Sequence, residues 1–64
     1  MRIDRVKLAT ELAKKDWSVQ ELAKESGVSR ATVSYIKNGK SCSAVTAIRL
    51  AEALGVEVMD ILED

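Results

Sequence analysis

The sequence predicts an all-α fold, a compact domain of five short helices, and three observations carry that expectation. Ala, Leu, Glu, Lys and Arg are prominent, proline is absent, and Trp17 and Tyr35 are the only aromatic residues, a composition that favours helices and disfavours a long sheet. One device recurs five times: an apolar residue precedes a capping residue, and a second apolar residue follows four positions after the cap. The instances are Ile3-Asp4 with Leu8, Trp17-Ser18 with Leu22, Val28-Ser29 with Val33, Cys42-Ser43 with Ala47, and Val56-Glu57 with Ile61. Lastly, Gly27, Gly39 and Gly55 stand alone at the points where helical patterns stop. Together these place helices at 4–15, 18–26, 29–37, 43–54 and 57–62, although Glu57 is a poor capping residue.

Sixty-four residues suit one small domain, taken as 1–64. Cys42 is the sole cysteine, so no disulfide framework is expected, and the absence of histidine argues against a zinc site. No stretch approaches the ~20 apolar residues of a membrane span, and Met1-Arg2-Ile3-Asp4 does not resemble a secretory signal, so a soluble cytoplasmic protein is expected. The net charge is zero but unevenly spread. Residues 1–40 hold nine basic and five acidic side chains, a net of +4, and residues 41–64 hold one basic and five acidic, a net of −4. One end could therefore face phosphates while the other avoids them.

In the first predicted helix Leu8 and Leu12 lie four apart on one face, and Asp4 and Lys14-Lys15 complement the two ends of the helix dipole. Trp17 is expected to lie as a lid over Leu22. The next stretch, Ser18 to Gly39, organises the chain. Ser18 with Glu21 makes a Ser-x-x-Glu capping box, Gly27 can stop the second helix in the left-handed conformation, and Ser29 can cap the third. Two helices joined by so tight a turn must cross steeply, which is the helix-turn-helix arrangement that presents its second helix as a reader of DNA.

Leu22 and the small Ala23 turn inward in the second helix, while Val19 and Gln20 sit at its amino end, where free N–H groups could hold a phosphate. At 100° per residue, Val33 and Ile36 mark the buried side of the third helix. Arg30, Ala31, Ser34 and Tyr35 fall opposite, with Thr32 and Lys37 on the flanks. An arginine can grip guanine, and an alanine or a phenol ring can touch a thymine methyl, so this face is a candidate base-reading set; an ordinary solvated face is the competing interpretation. Asn38-Gly39-Lys40-Ser41 is a polar connector whose N–H groups and side chains could touch the DNA backbone. Cys42 is expected as a small inward residue and not as a reactive thiol.

The fourth helix buries Ala47, Leu50, Ala51 and Leu54, with Val45 and Ile48 outside that stripe. After Gly55, the residues Val56, Val58, Met59, Ile61 and Leu62 exceed what an ordinary tail requires; some close the core, and Val56, Val58, Met59 and Leu62 are candidates for a dimer contact. Without histidine, Ser-His and Cys-His nucleophilic arrangements are impossible. No glycine-rich phosphate loop is present, so no enzyme, metal, cofactor or small-molecule ligand is expected.

Ser18-x-x-Glu21-Leu22-Ala23, Gly27-Val28-Ser29-Arg30-x-Thr32-Val33-Ser34-x-Ile36 and Asn38-Gly39-Lys40 resemble the Cro and phage-repressor type (XRE-like) helix-turn-helix family. Thr46-Ala47-x-x-Leu50-Ala51-x-Ala53-Leu54-Gly55-Val56 is similar to that family's fourth helix and its exit. The resemblance implies a five-helix domain of the phage-repressor DNA-binding type. By position it implies base contacts from Ser29, Arg30, Ala31 and Tyr35, and phosphate or positioning roles for Ser18, Val19, Thr32, Asn38 and Lys40. Val19 departs from the pattern, because the family often carries Gln there and a valine cannot donate to a phosphate. The expected function is a sequence-specific double-stranded DNA-binding regulator, a repressor acting as a homodimer on an inverted-repeat operator. The alternative is a protein-interaction module, antitoxin-like or adaptor, that retains the fold.

Overall fold

A computed structural model describes residues 1–64. Four α-helices follow one another: α1 (Arg5–Lys15), α2 (Val19–Ser26), α3 (Arg30–Lys37) and α4 (Ala44–Leu54). Their starts are capped by the residues the spacing nominates. Asp4 accepts from the N–H groups of Val6 and Lys7, and Ser18, Ser29 and Ser43 accept from those of Glu21, Thr32 and Thr46. The box at Ser18 forms by half: Ser18 Oγ accepts from Glu21 N–H at 3.2 Å, but no return bond joins the Glu21 carboxylate to Ser18 N–H.

Three helices end in a left-handed residue. Gly27 (φ 72°) and Gly55 (φ 74°) do so without a side chain to clash, and Asp16 (φ 56°) ends α1. The turn between α2 and α3 has a fastening that the spacing did not reveal. Ser26 Oγ donates to the Leu22 carbonyl at 2.7 Å and accepts from Val28 N–H at 3.3 Å, tying the end of α2 to the residue that dives into the core.

The predicted fifth helix over 57–62 is instead a single 3₁₀ turn, Val58–Asp60. The residues beyond it are taken by another partner. Ile3 and Leu62 form an antiparallel bridge, Asp4 N–H donates to the Ile61 carbonyl (2.8 Å), and Glu63 N–H donates to the Arg2 carbonyl (3.1 Å). A segment bonded in this way to the amino-terminal residues cannot also be helical. The amino-terminal segment is itself fixed from the other side, where Cys42 N–H donates to the Met1 carbonyl at 2.8 Å.

Twelve residues form the core: Ile3, Leu8, Leu12, Leu22, Val28, Val33, Ile36, Ala47, Leu50, Ala51, Leu54 and Ile61. All five residues expected four positions after a cap, Leu8, Leu22, Val33, Ala47 and Ile61, are completely buried. No polar or charged residue is buried with them. Each large aliphatic side chain so placed contributes about 1.5–3 kcal/mol relative to exposure. α2 packs on both α3 and α4, α4 on the 3₁₀ turn, and α1 on α3. Trp17 and Ala23 are half-buried against this core, and Lys15 Nζ lies 5.1 Å from the centre of the Trp17 ring, a cation–π contact.

The two charged ends of the sequence meet in space. Arg2 pairs with Glu63 (3.3 Å) and Lys7 with Asp64 (3.1 Å), and Lys7 Nζ also donates to the Leu62 carbonyl (2.9 Å). These pairs are solvent-exposed and worth only ~0–1 kcal/mol each. Burial of Ile3 and Ile61 and the backbone bonds between the termini therefore hold the closure.

Gly27→Ala should lower stability by about 1–2 kcal/mol in a denaturant titration, the cost of a side chain in the left-handed region. Nothing lies within 4 Å of the added Cβ, so the loss is conformational and not a clash.

Candidate nucleic-acid interface

α3 is oriented by its buried side. Val33 and Ile36 are 0% and 1% exposed, which forces Arg30, Ala31 and Tyr35 outward into solvent. Tyr35 is 62% exposed, so its ring is available for contact on the outer side of α3. The other two candidate readers differ. Ser34 is half-buried, at the edge of the face and not at its centre. Ser29 is exposed, but its hydroxyl is already employed: it accepts from Thr32 N–H (3.1 Å) and donates to Thr32 Oγ1 (2.8 Å). Ser29 and the half-buried Thr32 thus set the start of α3; a donation from Ser29 to DNA would have to exchange that bond, whereas the Thr32 hydroxyl hydrogen is free to donate. The free outward donors and apolar contacts are concentrated in Arg30, Ala31 and Tyr35.

The amino end of α2 carries the other phosphate candidates. Ser18 and Gln20 are exposed. Val19 is half-buried and packed against the core, so the departure from the family pattern has a packing role: the side chain that cannot bind phosphate fills space under the helix start. With Ser18 accepting from Glu21 N–H, the Val19 and Gln20 N–H groups have no acceptor in the chain and remain open at the positive end of the dipole.

Connector N–H groups do not serve as expected. Asn38, Gly39 and Lys40 all donate back to α3, to the carbonyls of Ser34 and Tyr35, of Ile36, and of Tyr35 respectively, at 3.0–3.1 Å. They close the helix end and leave the Ser41 N–H and the side chains of Asn38, Lys40 and Ser41, all three residues exposed, for an external partner. Lys37 is exposed one residue before the helix stops. A groove of about 360 Å³ runs between α3 and the start of α4, with Tyr35, Lys40, Ser41 and Cys42 on its walls. Burial pushes the Cys42 thiol up from its ordinary value, with the amino-terminal ammonium pulling the other way, so Cys42 stays protonated and poorly nucleophilic.

Two arginines absent from the motif also reach this end of the molecule. Arg5 of α1 and Arg2 approach Gly39, and Arg5 lines a groove with Lys37. No local spacing could have found them, because they come from the other end of the chain.

The candidate dimer residues separate. Val56, Val58 and Leu62 are half-buried against the core, while Met59 is 77% exposed. The apparent surplus of apolar residues after Gly55 is largely consumed in closing the fold, because the carboxyl-terminal segment lies across it instead of forming a free helix. Val45 and Ile48 are 60% and 47% exposed on α4. No group of three or more His, Cys, Asp or Glu side chains is placed to hold a metal ion, and no helix is long and apolar enough to cross a membrane.

No curated protein matches the chain. Among solved structures it is similar to a Y98F mutant of hydroxyethylphosphonate dioxygenase, with a TM-score of 0.87 and 28% identity. It is also similar to PhpD with cadmium atoms, with a TM-score of 0.85 and 28% identity. In both cases all of this chain aligns but only 14% of the other, so the chain spans about one-seventh of those proteins. A family model described as helix-turn-helix matches residues 8–61, from within α1 to the end of the 3₁₀ turn. That match takes in both helices of the crossed pair, the connector and all of α4, and the chain belongs to the Cro-like (XRE-type) helix-turn-helix family, a family of DNA-binding domains.

Proposed function

We propose that this protein is a sequence-specific double-stranded DNA-binding transcriptional regulator, a repressor, that works as a homodimer and carries out no reaction. The observation that supports it best is the exposed face of α3, where Arg30, Ala31 and Tyr35 project from a helix whose opposite side is locked into the core. In this reading α3 enters the major groove. The open N–H groups of Val19 and Gln20, with Ser18 beside them, hold one phosphate. Lys37, Asn38, Lys40 and Ser41 hold the backbone at the other end of the reader. Arg30 grips a guanine edge, and Ala31 and the Tyr35 ring make apolar contact with bases.

A two-fold dimer would place its readers one DNA turn apart, ~34 Å, which suits two bodies whose longest Cα dimension is 25 Å. Met59 is the natural centre of the dimer contact, since Val56, Val58 and Leu62 are committed to the core. Repression would follow from occupying a site that polymerase needs.

A second reading has one observation in its favour. In the solved structures the matching region is 14% of a much longer chain, one of them a dioxygenase, so the same fold also occurs in larger proteins. On that reading α3 or the exposed apolar residues meet protein and not DNA.

Selection of bound duplexes from random DNA separates the two readings: enrichment of an inverted repeat is expected, and no enrichment at all would remove the regulator reading. On an enriched site Arg30→Ala should cost about 1–3 kcal/mol and relax one position, whereas Arg49→Ala, on α4, should change little. Affinity should fall steeply with salt as phosphate contacts release counterions; a flat response would favour a protein partner. Met59→Asp should shift sedimentation from dimer towards monomer while the protomer keeps a cooperative melting transition, because its side chain is mostly in solvent within the protomer. A wild-type monomer at every concentration would retire the homodimer.

A further inference from the structure

We propose that Arg5 and Arg2 are phosphate-binding residues of the DNA interface, which thereby extends from the helix pair onto the start of α1, and that Glu63 is the anion that competes for Arg2. The proposal rests on the DNA-binding reading above and adds residues that the helix-turn-helix motif does not contain. A Cβ placed on Gly39 would stand 3.7 Å from Arg5 Cδ, 3.8 Å from Arg5 Nε and 3.9 Å from Arg2 Nη2. Both side chains therefore lie beside the connector that leaves α3. Lys40 is the next residue along, and Lys37 shares the α1–α3 groove with Arg5.

Four cations thus gather at the carboxyl end of the reading helix. Only Arg2 has a carboxylate within 4.0 Å; Arg5, Lys37 and Lys40 have none. The negative end of the α3 dipole favours a cation there, and Lys37 in the last turn answers that need. It does not account for three more. Like charges held together repel, and the arrangement becomes favourable when an external anion joins it. Guanidinium groups suit that anion, because their planar donors match a phosphate in a bidentate way. A duplex seated on α3 presents such phosphates along the edge of its groove, and the connector that carries Lys40 faces that edge.

Arg2 is not free. Its Nε donates to Glu63 Oε1 at 3.3 Å, and Glu63 N–H is anchored on the Arg2 carbonyl. Both side chains of the pair are about half exposed, so the bond is weak and exchangeable for a phosphate. The acidic carboxyl terminus thereby tempers the affinity of the basic amino terminus.

The test is fluorescence anisotropy with two labelled duplexes, one enriched from the random pool and one unrelated duplex of equal length, over a range of salt. Arg5→Gln keeps the stem of an exposed residue in the first turn of α1, and its fold is checked by circular dichroism. It should weaken both duplexes by the same factor and reduce the slope of log affinity against log salt by about 1. Glu63→Gln should tighten binding several-fold more than Glu57→Gln, which removes the same charge without an ion pair, and Arg2→Gln should abolish that difference. If wild type binds with a steep salt response and Arg5→Gln matches it in slope, the extended interface is wrong and the regulator reading stands. Equal effects of Glu63→Gln and Glu57→Gln would overturn the role of Glu63. If wild type binds neither duplex, both readings fall.

Discussion

Leu22, Val33 and Ile36 are essentially removed from water, and their burial dictates how α3 presents its other side. A helix of eight residues has little stability of its own, so its orientation is set by whichever face finds apolar partners. With Val33 and Ile36 held against α2, Arg30, Ala31 and Tyr35 have nowhere to go but outward. The tight turn between α2 and α3 that makes this possible depends on the left-handed Gly27 and on Ser26, whose hydroxyl joins the last turn of α2 to Val28. Reading function and core packing are thus two faces of the same short helix.

The rest of the molecule serves to keep that pair from coming apart. α4 buries four residues beneath α2, and the chain termini close over the far side through Ile3 and Ile61. This closure explains both the shortened carboxyl-terminal helix and why Met59 alone of the apolar residues after Gly55 stays exposed. Val58 and Leu62 pack against the core where it ends. It also places the acidic tail against Arg2 and Lys7, so the sequence's charge division is partly neutralised on one side of the molecule. Arg5, Lys37 and Lys40, around the connector after α3, are among the basic side chains without a carboxylate partner.

Two details of the interface show how local chemistry is reassigned by packing. The connector N–H groups look available in a polar, glycine-containing stretch, yet three of the four finish the hydrogen bonding of α3. Val19, which looks like a defect in an anchoring position, fills the core beneath the α2 start and leaves phosphate binding to the backbone beside it. Both outcomes follow from the cost of leaving buried groups unpaired or buried space empty in so small a protein.

The all-α class, four helix starts, the helix stops at Gly27 and Gly55 and eleven of the twelve core residues follow from capping and apolar spacing, which act over four or five residues. Ile3 too is named by its place before Asp4, but that it ends in the core opposite Ile61 depends on the termini meeting. The outward face of α3 was likewise legible, because a helix with two buried positions has a determined opposite side. What the tertiary structure alone decided is everything that joins distant parts of the chain. It converted the last predicted helix into a 3₁₀ turn, spent the carboxyl-terminal apolar residues on the core and brought Arg2 and Arg5 to Gly39. Such contacts depend on which segments lie side by side after folding, and periodicity along the chain carries no record of them.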